Sequence, residues 1–218
     1  MMDKAKQNTD AEFLELLISG NRGKCSDFAQ KYVQDNRSIQ DLYENVLKKA
    51  LYKVGELWEY NKISVATEHL SSAIVEAILN EFYSKIISQE KNNKRVIVAC
   101  VENEFHQIGI KMISDIFEMN GWSAHFLGSN TPTNELISFT KTIMPDMLAI
   151  SLSLYFHLPF LENMLQMIRK EFPTLTVLVG GQAFRHGGKD VLLKYENVFY
   201  KPDLNSTELF IKNLDNNG

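Results

Sequence analysis

Residues 95–101, Arg-Val-Ile-Val-Ala-Cys-Val, form a short, unbroken apolar run rich in β-branched side chains. A run of that length without alternation suits a strand buried on both faces, as in a parallel sheet covered by helices. Further strand-like runs follow at 122–127, 146–152, 175–179 and 197–200. Helical patterns at 108–119, 132–144, 158–172, 186–195 and 205–214 separate and follow them. This alternation predicts a doubly wound α/β domain with a parallel sheet. Five strands favour the flavodoxin-like order over a full dinucleotide fold. Such sheets bind ligands beyond the carboxyl ends of their strands. The loops after the first, third and fourth strands are therefore where function is expected.

The preceding residues carry a different period. Ser38 is expected to cap a long helix with a single apolar stripe: Ile39, Leu42, Val46, Leu47, Leu51, Val54 and Leu57. That helix should end near Tyr60 and Asn61. Ser64 is expected to cap the next helix, with Leu70, Ala73, Ile74, Ala77, Ile78 and Phe82 facing inward. Shorter amphipathic segments at 10–19 and 23–34 complete an antiparallel four-helix bundle. The polar stretch Ser88–Lys94 reads as a linker. The expected domains are a helical bundle at 1–88 and the flavodoxin-like domain at 95–218.

Composition serves mainly to exclude. The formal net charge of −4 argues against a dedicated nucleic-acid surface, which is usually basic. No stretch approaches the ~20 apolar residues of a membrane helix, and the first residues lack a signal-peptide core. The two cysteines, Cys25 and Cys100, lie far apart and suggest neither a disulfide framework nor a Cys-x-x-Cys metal site. A reduced, cytoplasmic protein is expected.

The chemistry gathers in the three loops. After the first strand comes Glu104-Phe105-His106-Gln107-Ile108-Gly109. Ser151-Leu152-Ser153 follows the third strand, and Gly180-Gly181 the fourth. A histidine with one ring nitrogen bonded to a carboxylate has a fixed tautomer and a more basic second nitrogen, as suits a metal ligand. Glycine and serine leave room for an extended group to pass close to backbone. One histidine is too few protein ligands for zinc. It suits an axial ligand to a metal already held by a macrocycle. Alone, each feature has a plain reading: a polar loop histidine, a turn glycine pair, a polar strand ending. Together and in register, they point to ligation.

The pattern resembles the cobalamin-binding domain of methionine synthase and its relatives. Their motif runs Asp-x-His-x-x-Gly, then Ser-x-Leu or Ser-x-Thr, then Gly-Gly. Here it reads Glu104-x-His106-x-x-Gly109, Ser151-x-Ser153 and Gly180-Gly181. The stretch Leu127–Pro132 also resembles the family's second loop. The resemblance implies cobalamin bound base-off, with His106 on cobalt and the nucleotide tail passing the glycine and serine positions. Glu for Asp keeps the carboxylate and lengthens its reach.

The bundle has its own signal, Trp58-x9-Glu68-His69. The stretch from Val54 to Ala73 resembles the cap of the adenosylcobalamin-dependent light-sensing repressors. In those proteins the tryptophan and the Glu-His pair cover the upper face of the corrin. Two departures are expected: no DNA-binding region precedes the bundle, and Glu59, not histidine, follows Trp58. A bis-histidine state through that position is therefore not implied. Alone, Trp58 would read as core and Glu68 as an acid favouring its helix's positive end. His125, His157 and His186 lack motif support. His157 follows the third strand and could approach the site, but reads as a plain loop residue.

These resemblances imply an adenosylcobalamin-dependent sensor, acting through homo-oligomer assembly or a separate signalling protein. Second stands a corrinoid carrier with methylcobalamin, serving separate methyltransferases. A mutase subunit would need a barrel that this chain does not encode. A phosphoacceptor receiver would need an aspartate where Ser151 stands.

Overall fold

The computed structural model describes residues 11–35, 37–87 and 90–216. The expected helix start at residue 10, Ser88 of the linker, and the outer ends of both expected domains lie outside these residues. The chain divides into two compact units, Met1–Ser84 and Lys85–Gly218.

The first unit is helical. A helix at 11–18 (α1) and Arg22–Gln34 (α2) precede one long rod. The rod starts as Ile39–Leu42 (α3), passes through a π-helical stretch at Tyr43–Leu47 and continues as Lys48–Glu59 (α4). Val65–Glu81 (α5) returns, followed by the short Tyr83–Ile86 (α6). Both expected caps are present. The Ser38 hydroxyl accepts the Asp41 amide at 3.0 Å and the Ser64 hydroxyl accepts that of Thr67 at 3.1 Å.

The inward face of α5 differs from expectation. Ser71, Ile74, Val75, Ile78 and Leu79 are buried, with Phe82 just beyond, whereas Leu70 and Ala73 are exposed. The helix is apolar over most of its circumference, so pattern alone left its rotation open. Packing selects the stripe through 71, 75, 78 and 82. Leu70 instead lies over Gly20, where a Cβ would come within 2.8 Å of its side chain.

The second unit is a five-stranded, all-parallel sheet of order β2-β1-β3-β4-β5. Its strands are Arg95–Cys100 (β1), Ser123–Gly128 (β2), Met147–Ser151 (β3), Thr176–Gly180 (β4) and Val198–Tyr200 (β5). The helices Ile108–Met119 (α7), Thr133–Ile143 (α8), Leu158–Glu171 (α9), Lys189–Leu192 (α10) and Leu204–Asn216 (α11) complete the flavodoxin-like fold. All five residues of β3 are buried, as are the last five of β1, which accounts for their uninterrupted apolar sequence.

The expected helix at 186–195 is reduced to the single turn α10. Gly187 and Gly188 have φ of 120° and 81°, which no helix accommodates. The expected linker is partly anchored: the Asn92 amide donates to the Gly121 carbonyl at 3.0 Å, and Lys91 pairs with Glu118 at 2.6 Å. Among the described residues, no helix is long and apolar enough to cross a membrane.

Candidate functional site

Strands β1, β3 and β4 are neighbours, so their carboxyl-end loops share one edge of the sheet. The loop after β1 is stitched to that after β2. The Asn103 amide donates to Asn130 Oδ1 at 3.0 Å, and the Asn130 amide donates to the Glu104 carbonyl at 2.8 Å. Gln107 Oε1 accepts the Ser129 amide at 3.1 Å. Glu102 accepts both the amide and the hydroxyl of Thr133, at the start of α8. The loop therefore reaches α7 with its backbone fixed from both sides.

Glu104 is the centre of the arrangement and is 0% exposed. Its Oε1 accepts the His106 amide at 3.1 Å and pairs with His106 Nδ1. Its Oε2 accepts the amides of Ser153 and Leu154, each at 2.9 Å, from the loop after β3. Burial alone would raise its pKa. The His106 imidazole and the amides of Leu154, His106 and Ser153 overcome that effect and hold it down at about 2. The group is thus held as an ionised carboxylate inside the protein near neutrality.

The His106 side chain is 56% exposed while its Nδ1 faces the buried carboxylate. With Nδ1 engaged there, Nε2 is the nitrogen through which this ring would ligate a metal. Cys100, whose thiol donates to the His106 carbonyl at 3.7 Å, is pushed up to about 12, by burial first and then by the charge of Glu104. Among the described residues, no three His, Cys, Asp or Glu side chains are grouped to hold a metal by themselves.

The other sheet-domain candidates divide by role. Ser153 meets Glu104 through its backbone. Ser151 ends β3, buried, opposite Cys100 on one side and Gly180 on the other. A Cβ on Gly181 (φ 114°) would lie 2.1 Å from the Leu152 carbonyl oxygen, so the fold itself requires glycine there. A Cβ on Gly109, in the first turn of α7, would meet nothing within 4 Å; the space beside it is open.

Sequence reasoning missed one neighbour. His157 lies at the start of α9 and is only 7% exposed, with Nδ1 3.5 Å from Glu104 Oε2. Its position after β3 was the available signal, and no motif marked it.

In the helical unit, Trp58 occupies the last turn of α4, and Glu68 and His69 the first turn of α5. The two helices pack together, and residues 60–64 join these ends. Trp58 is 49% exposed. Glu68 Oε2 meets His69 Nδ1 at 2.5 Å, and its other oxygen accepts the Ser72 hydroxyl at 2.9 Å. The His69 ring is 74% exposed. Tyr60, Val65 and Leu70 on the same hairpin are also exposed, leaving apolar and aromatic surface uncovered.

Both units match B12 binding domain families, residues 94–200 one and residues 10–82 another. The HTH-type transcriptional repressor CarH of Myxococcus xanthus is 28% identical, over 66% of this chain and 48% of its own. The match therefore spans about half the length of that repressor. Dimethylamine corrinoid protein 2 of Methanosarcina acetivorans is 20% identical, over 81% of this chain and 83% of its own. The structure of the Methanosarcina barkeri monomethylamine corrinoid protein superposes with a TM-score of 0.82, covering 95% of this chain and 99% of that one. At 12% identity, this likeness establishes a shared fold.

Proposed function

The chain belongs to the B12-binding domain family and is a cobalamin-binding protein; we propose that it holds the cofactor base-off, with His106 as the lower axial ligand of cobalt. The observation that carries this reading is the Glu104–His106 pair. A buried carboxylate, fixed by two amides of the next loop, engages one ring nitrogen of an otherwise exposed histidine. Such pairing fixes the tautomer and raises the basicity of the ligating nitrogen. The residues fit a cobalt already held by a corrin: one imidazole, no protein cage around it among the described residues, and open space at Gly109 for an extended group. Ser151, Ser153, Gly180 and Gly181 complete the proposed binding edge, with Gly180 and Gly181 keeping the backbone close. In the helical unit, Trp58, Glu68 and His69 are the proposed contacts to the cofactor.

When bound, cobalamin supplies a cobalt–carbon bond. We read the protein as a corrinoid carrier that presents a methyl group to separate methyltransferases. Likeness to corrinoid proteins runs over four fifths or more of both chains, in sequence and in fold. A second reading, an adenosylcobalamin-dependent sensor acting through oligomer assembly or a signalling partner, is supported by the exposed Trp58 and the Glu68–His69 pair at the joined ends of α4 and α5. Exposed aromatic surface of this kind is suited to packing against an adenosyl group.

The test is reconstitution with methylcobalamin and adenosylcobalamin in darkness, with spectra before and after green light. A carrier gives a base-off, His-ligated methyl form and exchanges its methyl group with a methyl donor and its methyltransferase. A sensor retains adenosylcobalamin preferentially and converts in light to a stable, protein-bound product. His106→Ala that leaves the spectrum and affinity of both forms unchanged defeats both readings.

A further inference from the structure

Strand β2, Ser-Ala-His-Phe-Leu-Gly, stands at one end of the sheet order, paired with β1. An edge strand offers a row of backbone groups to any other strand. Natural proteins blunt such edges with charged side chains, with proline or by keeping the strand very short. The opposite edge, β5, is three residues long. β2 is six residues long and contains no Lys, Arg, Asp, Glu or Pro. Its edge is covered from outside the strand instead. The Ser123 amide donates inward to the Lys94 carbonyl at 2.8 Å. Successive peptide groups of a strand point to opposite sides, so the amide of Ala124 faces the open edge. There Glu118, in the last turn of α7, accepts it on Oε1 at 2.8 Å. Lys91 Nζ holds the other carboxylate oxygen at 2.6 Å and also reaches the Trp122 carbonyl at 3.3 Å. The chain on both sides of Lys91 lies against the turn before β2. The Asn92 amide donates to the Gly121 carbonyl at 3.0 Å, and a Cβ on Gly121 would lie 2.6 Å from the Glu90 carbonyl oxygen.

We infer that Glu118, held in place by Lys91, is a guard that keeps β2 from pairing with β2 of a second copy of this chain. The edge suits a second copy because two identical strands pair antiparallel about a two-fold axis, an arrangement that closes at two. With the axis at His125, Ala124 of each copy stands opposite Phe126 of the other. These are the residues whose backbone faces outward. The side chains of β2 bring no Lys, Arg, Asp or Glu opposite its like across that axis. The obstacle is Glu118, which occupies the amide that an incoming strand needs. The inference is independent of the cobalamin reading, since it concerns the outer edge of β2 and not the loops around Glu104.

The test compares the full, cofactor-free parent with Glu118→Ala and Glu118→Gln by sedimentation velocity over a range of concentrations. Glu118→Ala frees one outward amide per copy. A net hydrogen bond is worth roughly fivefold in an equilibrium constant, so two should strengthen self-association about 25-fold over the parent. The species formed should stop at the dimer. Glu118→Gln loses the same charge but keeps an oxygen for the Ala124 amide, and should associate as the parent does. Adding Ala124→Pro to Glu118→Ala removes the outward N–H where an edge strand tolerates proline, and should restore parent behaviour. Association of Glu118→Ala no stronger than that of the parent overturns the inference. So do open-ended aggregates, a Glu118→Gln dimer as strong as that of Glu118→Ala, or a dimer that survives Ala124→Pro.

If Glu118→Ala does not fold, amide hydrogen exchange in the parent decides. The Ala124 amide, bonded to Glu118, should exchange roughly fivefold more slowly than that of Phe126, which faces the same open side. That result supports the guard, and equal rates overturn it.

Discussion

The two units prepare for a ligand in opposite ways. In the sheet unit, the candidate ligand is organised before anything binds: Glu104 is wholly buried, its carboxylate meets two amides of the next loop and both the amide and the ring of His106, and two loops are sewn together around it. In the helical unit, Trp58 and His69 stand about half and three quarters exposed, and Glu68 bonds to its helical neighbours His69 and Ser72. One unit has already met the desolvation and ordering costs of its site. The other leaves apolar and aromatic surface exposed. Binding residues held rigidly by their own fold give affinity through preorganisation, whereas exposed residues gain their energy on contact. Changes at Glu104 should therefore affect both fold and cofactor, and changes in the helical hairpin chiefly the cofactor.

The largest expected effect is that of Glu104→Ala. It strands the Ser153 and Leu154 amides in a buried site, at a cost of about 3 kcal/mol. It should also weaken cobalamin binding by roughly 10- to 100-fold. Urea unfolding of the cofactor-free protein measures the first, and titration with cobalamin the second. A stability change below about 1 kcal/mol would remove the contrast between the units.

Acid should reveal the same group. The carboxyl of Glu104 is depressed from 4.5 to about 2, so its stabilising contribution is fully present above the unfolded value. It is lost as pH falls through the interval from about 4.5 towards 2, and amounts to about 3 kcal/mol in all. The difference between the parent and Glu104→Gln, followed by unfolding at several pH values, should shrink over that interval. A difference independent of pH there would show that the carboxylate is not held ionised by its bonds.

Gly109→Ala separates fold from ligand within the sheet unit. The added methyl meets nothing, and alanine is a better helix former by up to about 1 kcal/mol. The cofactor-free variant should be as stable as the parent or more so, yet bind cobalamin more weakly. Unaltered binding would remove Gly109 from the proposed site. The smallest effect on the fold is expected for Trp58→Ala, within about 0.5 kcal/mol for a side chain so exposed. Its signature should instead be altered discrimination between adenosylcobalamin and methylcobalamin. Equal binding of both forms by parent and variant would end the case for the hairpin.

The sheet was largely legible because burial on both faces writes itself into sequence. β1 and β3 are continuous apolar runs, and α7 begins and ends where its pattern does. Helix rotation was less legible, since α5 is apolar over so much of its surface that Leu70 and Ala73 could be placed inside without contradiction. The turn α10 is shorter than its pattern suggests because Gly187 and Gly188 interrupt a stretch whose composition otherwise suits a helix. At the site, the sequence pointed to Glu104 beside His106, because two residues of separation on one loop allow the pair directly. The Leu154 amide and His157 were not legible. Their part depends on where the loop after β3 meets a side chain fifty residues earlier, and backbone donors leave no mark in residue type.

The central claim is that a protein imidazole, that of His106, holds the cobalt. The most direct measurement is the electron paramagnetic resonance spectrum of cob(II)alamin bound to protein labelled with ¹⁵N only in histidine. Coupling to one ¹⁵N nucleus splits each cobalt line into a doublet, and the splitting should vanish in His106→Ala. A triplet, the mark of the cofactor's own ¹⁴N base on cobalt, or a doublet surviving in His106→Ala, would contradict the account.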